Sequence, residues 1–293
     1  MPTPEWLAEQ FEQHWGHLRA VAYRMLGSAS EAEDAVQESW IRLGRTDVSD
    51  IENLRAWLTT VVARVCLDML RTRTSRREDP LDTHVPDPVI TRAAGDPESD
   101  AMLADSVGLA LLVVLETLEP AERLAFVLHD VFGMTFDEIA PIVDRSPVAA
   151  RQLASRARRR VQGQAPTSDA DLRTQRRVVD KFLAAVRDGD FEALVAVLDP
   201  AIVLRADGGA VKGMSRLVRG AQAVVAQAAA FSKLGLSNQV VLVNGNIGVV
   251  SRLPDGRVLS VIGFTIAGGK VVEMDILADP DRLRRLDLSA IER

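Results

Sequence analysis

Two stretches with the composition of loops limit what this chain of 293 residues can fold into. "EDPLDTHVPDPVITRAAGDPESD" (78–100) is rich in Pro, Asp and Gly, and "GQAPTSDAD" (163–171) is small and polar. Neither carries apolar residues at a helical or strand period, which is typical of linkers. We therefore predict three domains, at residues 1–77, 101–162 and 172–293, joined by a linker at 78–100 and a tether at 163–171.

The first domain is predicted to be all-α. "SEAEDAVQESWIRLGR" begins with Ser30 and has Glu33 three residues later, the pattern of a capping box. "NLRAWLTTVVARVCLDMLRTR" carries apolar residues from Leu54 to Met69 at helical spacing. That helix continues into a basic run without an acid, which contains Arg71, Arg73, Arg76 and Arg77.

The second domain is also predicted to be all-α and to end in a helix-turn-helix. The short segment "TFDEIAPIV" has Thr135 and Glu138 at capping-box spacing. Ser146 is a suitable N-cap for the next helix, and Pro147 a suitable first residue. A short helix, a tight turn and a basic helix are the parts of a helix-turn-helix.

The last helix concentrates positive charge in a chain whose formal net charge is −6. "SPVAARQLASRARRR" (146–160) holds five arginines and no acid. A helix fits the major groove of DNA, and Arg and Gln side chains can read guanine and adenine edges. A solvated basic face is the alternative reading. The DNA-binding candidates are Ser146, Arg151, Gln152, Ser155, Arg156 and Arg159.

The remaining composition argues against several classes of protein. The single cysteine, Cys66, excludes an internal disulfide and a cysteine-based metal site. No run of about 18 apolar residues is present to span a membrane, and the N-terminus lacks the pattern of a signal peptide. We therefore expect a soluble, cytoplasmic protein without a metal, a cofactor or a membrane partner.

The third domain is predicted to be α+β. Two helices separated by "DGD" precede a strand, "GMSRLVRGAQAVVAQAAAFSKL" is predicted to be a helix, and several strands follow, joined by the turn signals "NGN", "PDG" and "AGGK". This domain contains no His, Tyr, Trp or Cys. Since a general base needs an oxyanion partner, Asp207 and Asp275 alone do not predict an enzyme. A small-molecule pocket without chemistry remains open.

The first two domains resemble bacterial sigma factors of the extracytoplasmic-function group in the sigma-70 family. "GSASEAEDAVQESWIRL" is similar to the helix of sigma domain 2 that docks on the polymerase clamp. "LRAWLTTVVARVCLDMLRTR" is similar to the helix that melts and reads the −10 promoter element. "LEPAERLAFVLHDVFGMTFDEIAPIVDRSPVAARQLASRARRR" is similar to sigma domain 4, which reads the −35 element. The resemblance implies core RNA polymerase and promoter DNA as partners.

The resemblance also implies roles for single residues. It assigns contacts with the β′ clamp to Asp34, Gln37 and Glu38. Domain 4 is expected to contact the β flap. The loop "GRTDVSDIEN" occupies the place of the base-specificity loop. Contacts to the −10 element fall to Arg55, Thr60, Arg64, Arg71, Arg73 and Arg76. The DNA-binding candidates of the last helix become contacts to the −35 element.

The third domain resembles the SnoaL-like branch of the NTF2-like cone fold and the C-terminal extension of one sigma-factor subgroup. Where that subgroup has an Asp-Gly-Gly-Gly-basic motif and an Asn-Pro-Asp-Lys-Leu motif, this chain has "DGGAVK" and "DPDRL". Its linker has "HVPDPV" in place of the subgroup's Trp-Leu-Pro-Glu-Pro. The resemblance implies regulation by intramolecular contact with the sigma domains, through Asp207, Gly208, Gly209, Lys212, Asp279, Pro280, Asp281 and Arg282.

Two functions therefore remain open. The first is a sigma factor that binds core RNA polymerase, directs promoter-specific initiation and is regulated in cis by its C-terminal domain. The second is a ligand-responsive helix-turn-helix regulator that never joins polymerase. The predicted helix at 31–45 favours the first, because a simple regulator has no need of it.

Overall fold

The fold was obtained as a computed structural model, which describes residues 4–46, 51, 53–76, 83–92, 108–164, 166, 169, 171–211 and 213–292. The chain divides into two compact units. The N-terminal unit combines Met1–Glu78 with Val114–Gln164, and the C-terminal unit combines Asp79–Val113 with Ala165–Arg293. The predicted order of two helical domains followed by an α+β domain is confirmed.

Apolar residues at helical spacing form the first three helices of the N-terminal unit: α1 (Pro4–Leu26), α2 (Ala29–Leu43) and α3 (Leu54–Arg76). Their shared core includes Leu18, Tyr23, Leu58 and Val62, none more than 1% exposed. The predicted cap at Ser30 is wrong, because α2 begins one residue after Ser28 and has no side-chain capping bond.

The second half of the N-terminal unit contains the predicted helix-turn-helix. The helices are α4 (Leu109–Glu116), α5 (Pro120–Phe126), which continues into a π-helical turn (Val127–Val131), α6 (Phe136–Val143) and α7 (Pro147–Gln164). The Thr135–Glu138 capping box is confirmed at the start of α6. Ser146 Oγ accepts from the Ala149 amide at 3.3 Å, as its predicted place before α7 requires. The boundary between the two units falls within α4, after Val113.

A seven-stranded sheet forms the centre of the C-terminal unit. The strands are β1 (Ile90–Thr91), β2 (Leu198–Asp207), β3 (Arg216–Arg219), β4 (Ser237–Val243), β5 (Asn246–Arg252), β6 (Val258–Ala267) and β7 (Lys270–Leu277). Their order across the sheet is β1-β4-β5-β6-β7-β2-β3. Neighbours are antiparallel except β2 and β7, which run parallel, so both strands end at the same edge of the sheet.

Helices cover the inner face of this sheet. They are α8 (Leu172–Asp188), α9 (Phe191–Val197) and α10 (Ala221–Phe231), and a short helix α11 (Pro280–Leu283) follows the last strand. The core between helices and sheet includes Val179, Phe182, Ile202, Phe264 and Met274. Leu109 approaches the outer face so closely that a Cβ at Gly263 would lie 2.9 Å from its Cδ2.

The structure differs from the predicted organisation in three respects. The first two predicted domains share one unit, since α3 packs on α5 and α6. Residues 83–92 of the predicted linker belong to the C-terminal unit, where Ile90 and Thr91 pair with the end of β4. The segment at 216–219, predicted to be helical, is strand β3, because it completes the sheet beside β2 and Gly220 then breaks the strand at φ +89°.

Candidate nucleic-acid interface and linker anchor

The outer face of α7 presents the side chains predicted to read the −35 element. Arg151 and Gln152 are exposed, and Ser155 is half-buried. The Arg151 guanidinium lies 5.3 Å from the centroid of the Phe136 ring, a cation–π contact that orients the side chain at the start of α6. Arg159 is exposed one turn beyond Ser155. The long donors of this face therefore point away from the core.

Acidic side chains from α5 and the π-helical turn pair with the remaining arginines of α7. Arg158 donates through Nε and Nη2 to Oδ1 of Asp130, at 2.9 and 2.6 Å. Arg156 and Arg160 lie 3.6 and 3.3 Å from the carboxylate of Glu122, whose side chain is 6% exposed. Sequence reasoning missed these acids because they precede the arginines by many residues.

These pairs leave Arg151 and Arg159 as the arginines of α7 for which no described carboxylate lies within ion-pair distance. The Arg156 side chain is 55% exposed, so it contacts both Glu122 and solvent. Glu122 and Asp130 thus offset part of the charge of the five arginines, and Arg151 and Arg159 carry theirs at the outer surface of the helix.

The predicted −10 contacts on α3 lie beside a half-buried histidine, His17. Arg55 is exposed and donates to His17 Nδ1 at 3.3 Å, while Nε2 of the same ring lies 3.1 Å from Thr59 Oγ1. Burial first, and then the Arg55 charge, lower the pKa of His17 from 6.5 to about 4. Thr59 is 4% exposed and belongs to the core. Its neighbour Thr60 is half-buried.

Two other predicted −10 residues are already bonded within the N-terminal unit. Arg64 is exposed and donates to the Pro141 carbonyl in α6 at 3.0 Å. Arg73 is the second of these residues. Its guanidinium bonds to the Leu26 carbonyl at 3.1 Å, to Glu116 at 3.4 Å and to Glu31. These three acceptors surround Arg73 because α2 and the end of α4 carry acids that face α3.

The basic run also contains Arg71 and Arg76. Arg71 is exposed and lies 3.8 Å from Asp68. Arg76 is the last residue of α3, and its side chain lies outside the described part of the structure. Four positions of the loop "GRTDVSDIEN", at 47–50, also lie outside it, together with position 52.

Contacts between the two halves of the N-terminal unit centre on Phe132. Its ring packs edge-on against His17 with centroids 5.3 Å apart, and the Arg24 guanidinium lies 5.3 Å from the same ring. Arg123, 2% exposed, donates through Nε and Nη2 to the Arg24 carbonyl at 3.3 and 3.2 Å. Helix α1 is therefore held to α5 and to the segment that precedes the helix-turn-helix.

The exposed face of α2 carries the predicted polymerase contacts. Asp34 and Gln37 are exposed, and Glu38 pairs with Arg42 at 2.9 Å. Sequence reasoning missed the apolar side chains beside them: Trp40 is 37% exposed and Ile41 is 46% exposed. Position i+3 or i+4 from Gln37 places both on the same helix face, so that face joins acidic and apolar groups.

The "DGGAVK" and "DPDRL" segments of the third domain both contact the linker. Arg282 donates through Nη1 to Asp207 Oδ2 at 2.6 Å and through Nε to Asp87 Oδ1 at 2.7 Å. Its Nη2 bonds to the Val85 carbonyl, and Asp207 Oδ2 accepts from the Val85 amide at 3.0 Å. His84 Nδ1 also lies 3.1 Å from Asp207 Oδ2. We call Asp207, Arg282, Val85 and Asp87 the linker anchor.

The electrostatics of the linker anchor favour its charged form. Burial alone would raise the pKa of Asp207, but hydrogen bonds from His84 and the Val85 amide, and the Arg282 charge, hold it below its ordinary value. Burial likewise opposes the charge of Arg282, and the Asp87 and Asp207 carboxylates raise its pKa. The two charges therefore stabilise each other, together with Asp87, His84 and the Val85 amide.

The backbone around the linker anchor is shaped by glycines and a cap. Gly209 has φ +58°, and a Cβ there would lie 2.1 Å from Asp279 Oδ2. Asp279 caps α11 by accepting from the Asp281 and Arg282 amides, at 2.8 and 3.3 Å. Pro280 begins that helix. A Cβ at Gly208 would lie 2.2 Å from the Cβ of Met214, while Lys212 lies outside the described residues.

Further along the linker, hydrogen bonds to the backbone and side chain of Asn244 hold the chain. Asn244 accepts through Oδ1 from the Val89 amide at 3.0 Å, and its own amide donates to the Val89 carbonyl at 2.9 Å. Val85 is 0% exposed and Ile90 is 5% exposed. The linker is therefore part of the C-terminal fold and buries apolar side chains in it.

The second carboxylate considered as a base, Asp275, lies on the outer face of the sheet. Arg205 bonds to Glu273 at 2.8 Å and to Asp275. Burial and the neighbouring Glu273 raise the pKa of Asp275 to about 7, against the charge of Arg205. Two carboxylates facing one guanidinium form a structural ion cluster.

Comparisons with known proteins agree with this architecture. The family "Sigma-70 region 2" matches residues 10–76 and "Sigma-70, region 4" matches residues 108–161. The chain is 40% identical to the ECF RNA polymerase sigma factor SigJ of Mycobacterium tuberculosis over 287 residues, 93% of this chain and 92% of that protein. It is 33% identical to the probable ECF sigma factor SigI of the same organism, with 92% of each covered.

The crystal structure of Mycobacterium tuberculosis SigJ has a similar fold. Its TM-score with this chain is 0.76 at 35% identity, and the match covers 96% of this chain and 99% of that one. Within the described ranges, none of the helices combines the length and the apolar character that crossing a membrane requires.

Proposed function

This chain belongs to the extracytoplasmic-function sigma factors of the sigma-70 family, so it binds core RNA polymerase and promoter DNA and directs transcription initiation, and we propose that its C-terminal unit controls that activity in cis by holding the linker. Family membership favours this function over a regulator that never joins polymerase.

The linker anchor carries the proposal. In the chain, the linker connects the −10 helix to the helix-turn-helix, and the anchor fixes its middle through a buried ion pair and the Val85 amide. Removing one partner of a buried ion pair lowers the stability of a protein by about 3–5 kcal/mol. The linker is therefore released only when the anchor opens as a whole, which makes it a suitable control point.

The closed N-terminal unit supports the same conclusion. Arg64, a predicted −10 contact, is bonded to Pro141 in the helix-turn-helix that is predicted to read the −35 element. On straight DNA those elements lie roughly 85 Å apart, at about 3.4 Å per base pair. A bond of 3.0 Å between their readers cannot persist while both are engaged. Initiation therefore requires this unit to open, and a released linker would permit it.

We further propose that polymerase docks on two surfaces of the N-terminal unit. The exposed face of α2, with Asp34, Gln37 and Trp40, has the mixed acidic and apolar character that suits the β′ clamp. The helix-turn-helix would meet the β flap while Arg151 and Gln152 face DNA. Since polymerase and promoter DNA are its partners, we expect the protein to act in the cytoplasm.

We infer that the C-terminal unit has a regulatory rather than an enzymatic role. Of its two candidate bases, Asp207 is bonded to Arg282 and Asp275 is bonded to Arg205. Both carboxylates are thus occupied by structural ion pairs. This supports a domain that binds and positions chain segments.

In vitro transcription with core RNA polymerase and full-length protein tests the cis control. Arg282→Ala removes the cation of the anchor and should raise transcript yield, while Arg284→Ala changes an exposed arginine two residues away and should not. Hydrogen exchange at the Val85 and Val89 amides should accelerate only in Arg282→Ala. Linker release with unchanged transcription would refute the proposal.

Phe132→Ala tests the closed unit separately. It removes the ring that holds His17 and Arg24, and Phe132 is outside the predicted DNA and polymerase contacts. We expect increased initiation, with Phe191→Ala, which truncates an exposed ring in the C-terminal unit, as the control. Equal yields from the two variants would contradict the need for opening.

Pull-down by core RNA polymerase tests the α2 face. Asp34→Arg reverses an exposed charge and should weaken capture strongly, whereas Glu9→Arg reverses an exposed charge on α1 and should not. Circular dichroism of both variants checks that the helices persist. Equal capture of folded Asp34→Arg and wild-type protein would remove Asp34 from the interface.

A further inference from the structure

A cavity of about 420 Å³ lies inside the C-terminal unit, between the inner face of the sheet and helices α8 and α10. Most of its lining is apolar, for example Phe182 and Val186 of α8, Leu204 of β2 and Met274 of β7. Its volume is in the range of small-molecule sites, about 300–1,000 Å³. None of the promoter, polymerase or linker contacts described above uses this cavity.

One arginine enters the cavity from the edge strand. Arg216 is paired with Ala206 in the antiparallel β2–β3 ladder, and both residues line the cavity, so the register directs the Arg216 side chain inward. Its guanidinium bonds to the Gln227 side chain and to the Gly213 carbonyl, the latter at 3.0 Å. A guanidinium has five N–H donors, so these two acceptors leave donors for a ligand.

The charge of Arg216 has no anionic partner among the described residues. The described lining includes no Asp, Glu, His or Tyr, and no described carboxylate lies within ion-pair distance of Arg216. A half-buried cation in apolar surroundings is stabilised by an anion, and guanidinium binds carboxylate through two parallel hydrogen bonds. The chemistry of this end of the cavity therefore suits a carboxylate.

The opposite wall carries a neutral polar stripe. Asn238, Ser251 and Ser260 are cross-strand neighbours on β4, β5 and β6, and all three line the cavity. Ser251 donates to Asn238 Oδ1 at 2.8 Å. Three strand spacings of about 4.8 Å, or roughly 14 Å, separate β3 from β6. The space between is apolar and fits a hydrocarbon chain.

The cavity also borders an exposed apolar surface. Phe231, at the end of α10, lines the cavity and is 37% exposed, and Leu234 follows it with 43% exposure. Such exposed apolar side chains beside a cavity are typical of a ligand entrance. Arg187, also in the lining, has a side chain that is 74% exposed and already pairs with Asp188 at 2.9 Å.

We propose that this cavity binds an apolar carboxylic acid, with the carboxylate on Arg216 and the hydrocarbon chain along Leu204 and Met274. The proposal concerns binding alone and requires neither the linker anchor nor any step of transcription.

Isothermal titration calorimetry of the full-length protein with dodecanoate tests the proposal, with 1-dodecanol as the neutral probe of equal chain length. We expect one dodecanoate per chain, bound about tenfold or more tightly than dodecanol, as a charge-assisted pair predicts. Arg216→Gln should reduce dodecanoate affinity to that of dodecanol. Arg219→Gln, on the same strand but outside the lining, should change neither affinity.

Ala228→Trp, which fills the cavity from α10, should abolish both affinities, and thermal unfolding will show whether the variant folds. If it does not fold, Arg216→Gln and Arg219→Gln still decide the assignment. Equal affinities for dodecanoate and dodecanol would overturn the role of Arg216. Absence of saturable binding, or several equivalents bound regardless of Ala228→Trp, would overturn the site.

Discussion

Arg282 and Asp207 lie 75 residues apart in the sequence, yet Nη1 of the arginine donates to Oδ2 of the aspartate at 2.6 Å. The parallel pairing of β2 and β7 explains this proximity, because Asp207 is the register partner of Leu277 and both strands end at one edge. The chain turns there through Gly208 and Gly209 after β2, and through Asp279 after β7. The two motifs are adjacent in space as a result of this single parallel pair.

Gly209→Ala should be markedly more destabilising than Gly268→Ala. Both glycines have nearly the same φ, +58° and +59°, but only at Gly209 would a Cβ meet another atom, Asp279 Oδ2 at 2.1 Å. Backbone strain of roughly 1–3 kcal/mol is common to both variants. Urea unfolding measures the difference between them, which isolates the contact with Asp279. Equal losses would show that the cap tolerates the methyl group.

Arg151→Ala and Gln152→Ala should each weaken −35 recognition by about 1–3 kcal/mol if the side chains contact base edges. Arg159→Ala should weaken binding to all sequences alike and lower the salt slope by about one unit. Fluorescence anisotropy with cognate and scrambled −35 duplexes, over a range of salt concentrations, measures both effects. Unchanged selectivity in the Arg151 and Gln152 variants would reassign them to the DNA backbone.

Acidification should destabilise the N-terminal unit through His17. Burial and Arg55 lower the pKa of His17 to about 4, so between about 4 and 6.5 the unfolded chain binds more protons than the folded one. Stability is therefore lost as the pH falls from 6.5 to 4, by at most about 1.4 kcal/mol per pH unit. Chemical denaturation should give a shallower pH dependence for His17→Gln than for the wild-type chain, and parallel slopes would contradict the assignment.

Asp275 should make stability depend on pH with the opposite sign. Its pKa is raised to about 7 by burial and by Glu273, so between 3.8 and 7 the folded chain binds more protons than the unfolded one. The contribution of Asp275 to stability then declines as the pH rises through that window. Asp275→Asn should remove this decline, and Asp180→Asn, at an exposed position, should keep it. Parallel slopes for wild type and Asp275→Asn would contradict the assignment.

The helix-turn-helix could be predicted from local signals, because Thr135, Glu138 and Ser146 act through neighbours a few residues away. The acidic partners of its arginines could not be predicted from the sequence. Glu122 and Asp130 reach α7 only after the helices pack, and nothing in "SPVAARQLASRARRR" indicates them. The same holds for Arg73, whose three acceptors come from other helices.

The linker shows the same limit. Its composition is that of a loop, and loop composition indicates only that a segment cannot build a core of its own. Whether another domain captures the segment depends on that domain's surface, here Asn244 and Asp207. The regulatory residues were predicted by resemblance to a subgroup, and their partners Val85 and Asp87 required the structure.

Strand β1 has consequences for how chains of this protein interact. Among the residues that the structure describes, its pairing with β4 consists of Ile90 and Thr91, a short part of that edge. An uncovered strand edge accepts any segment of matching register, including the same segment of a second molecule. A chain whose own linker has left can therefore receive residues 83–92 from a neighbour by domain swapping. Dimers formed in this way would accumulate with protein concentration, and a synthetic peptide of the same ten residues would dissociate them.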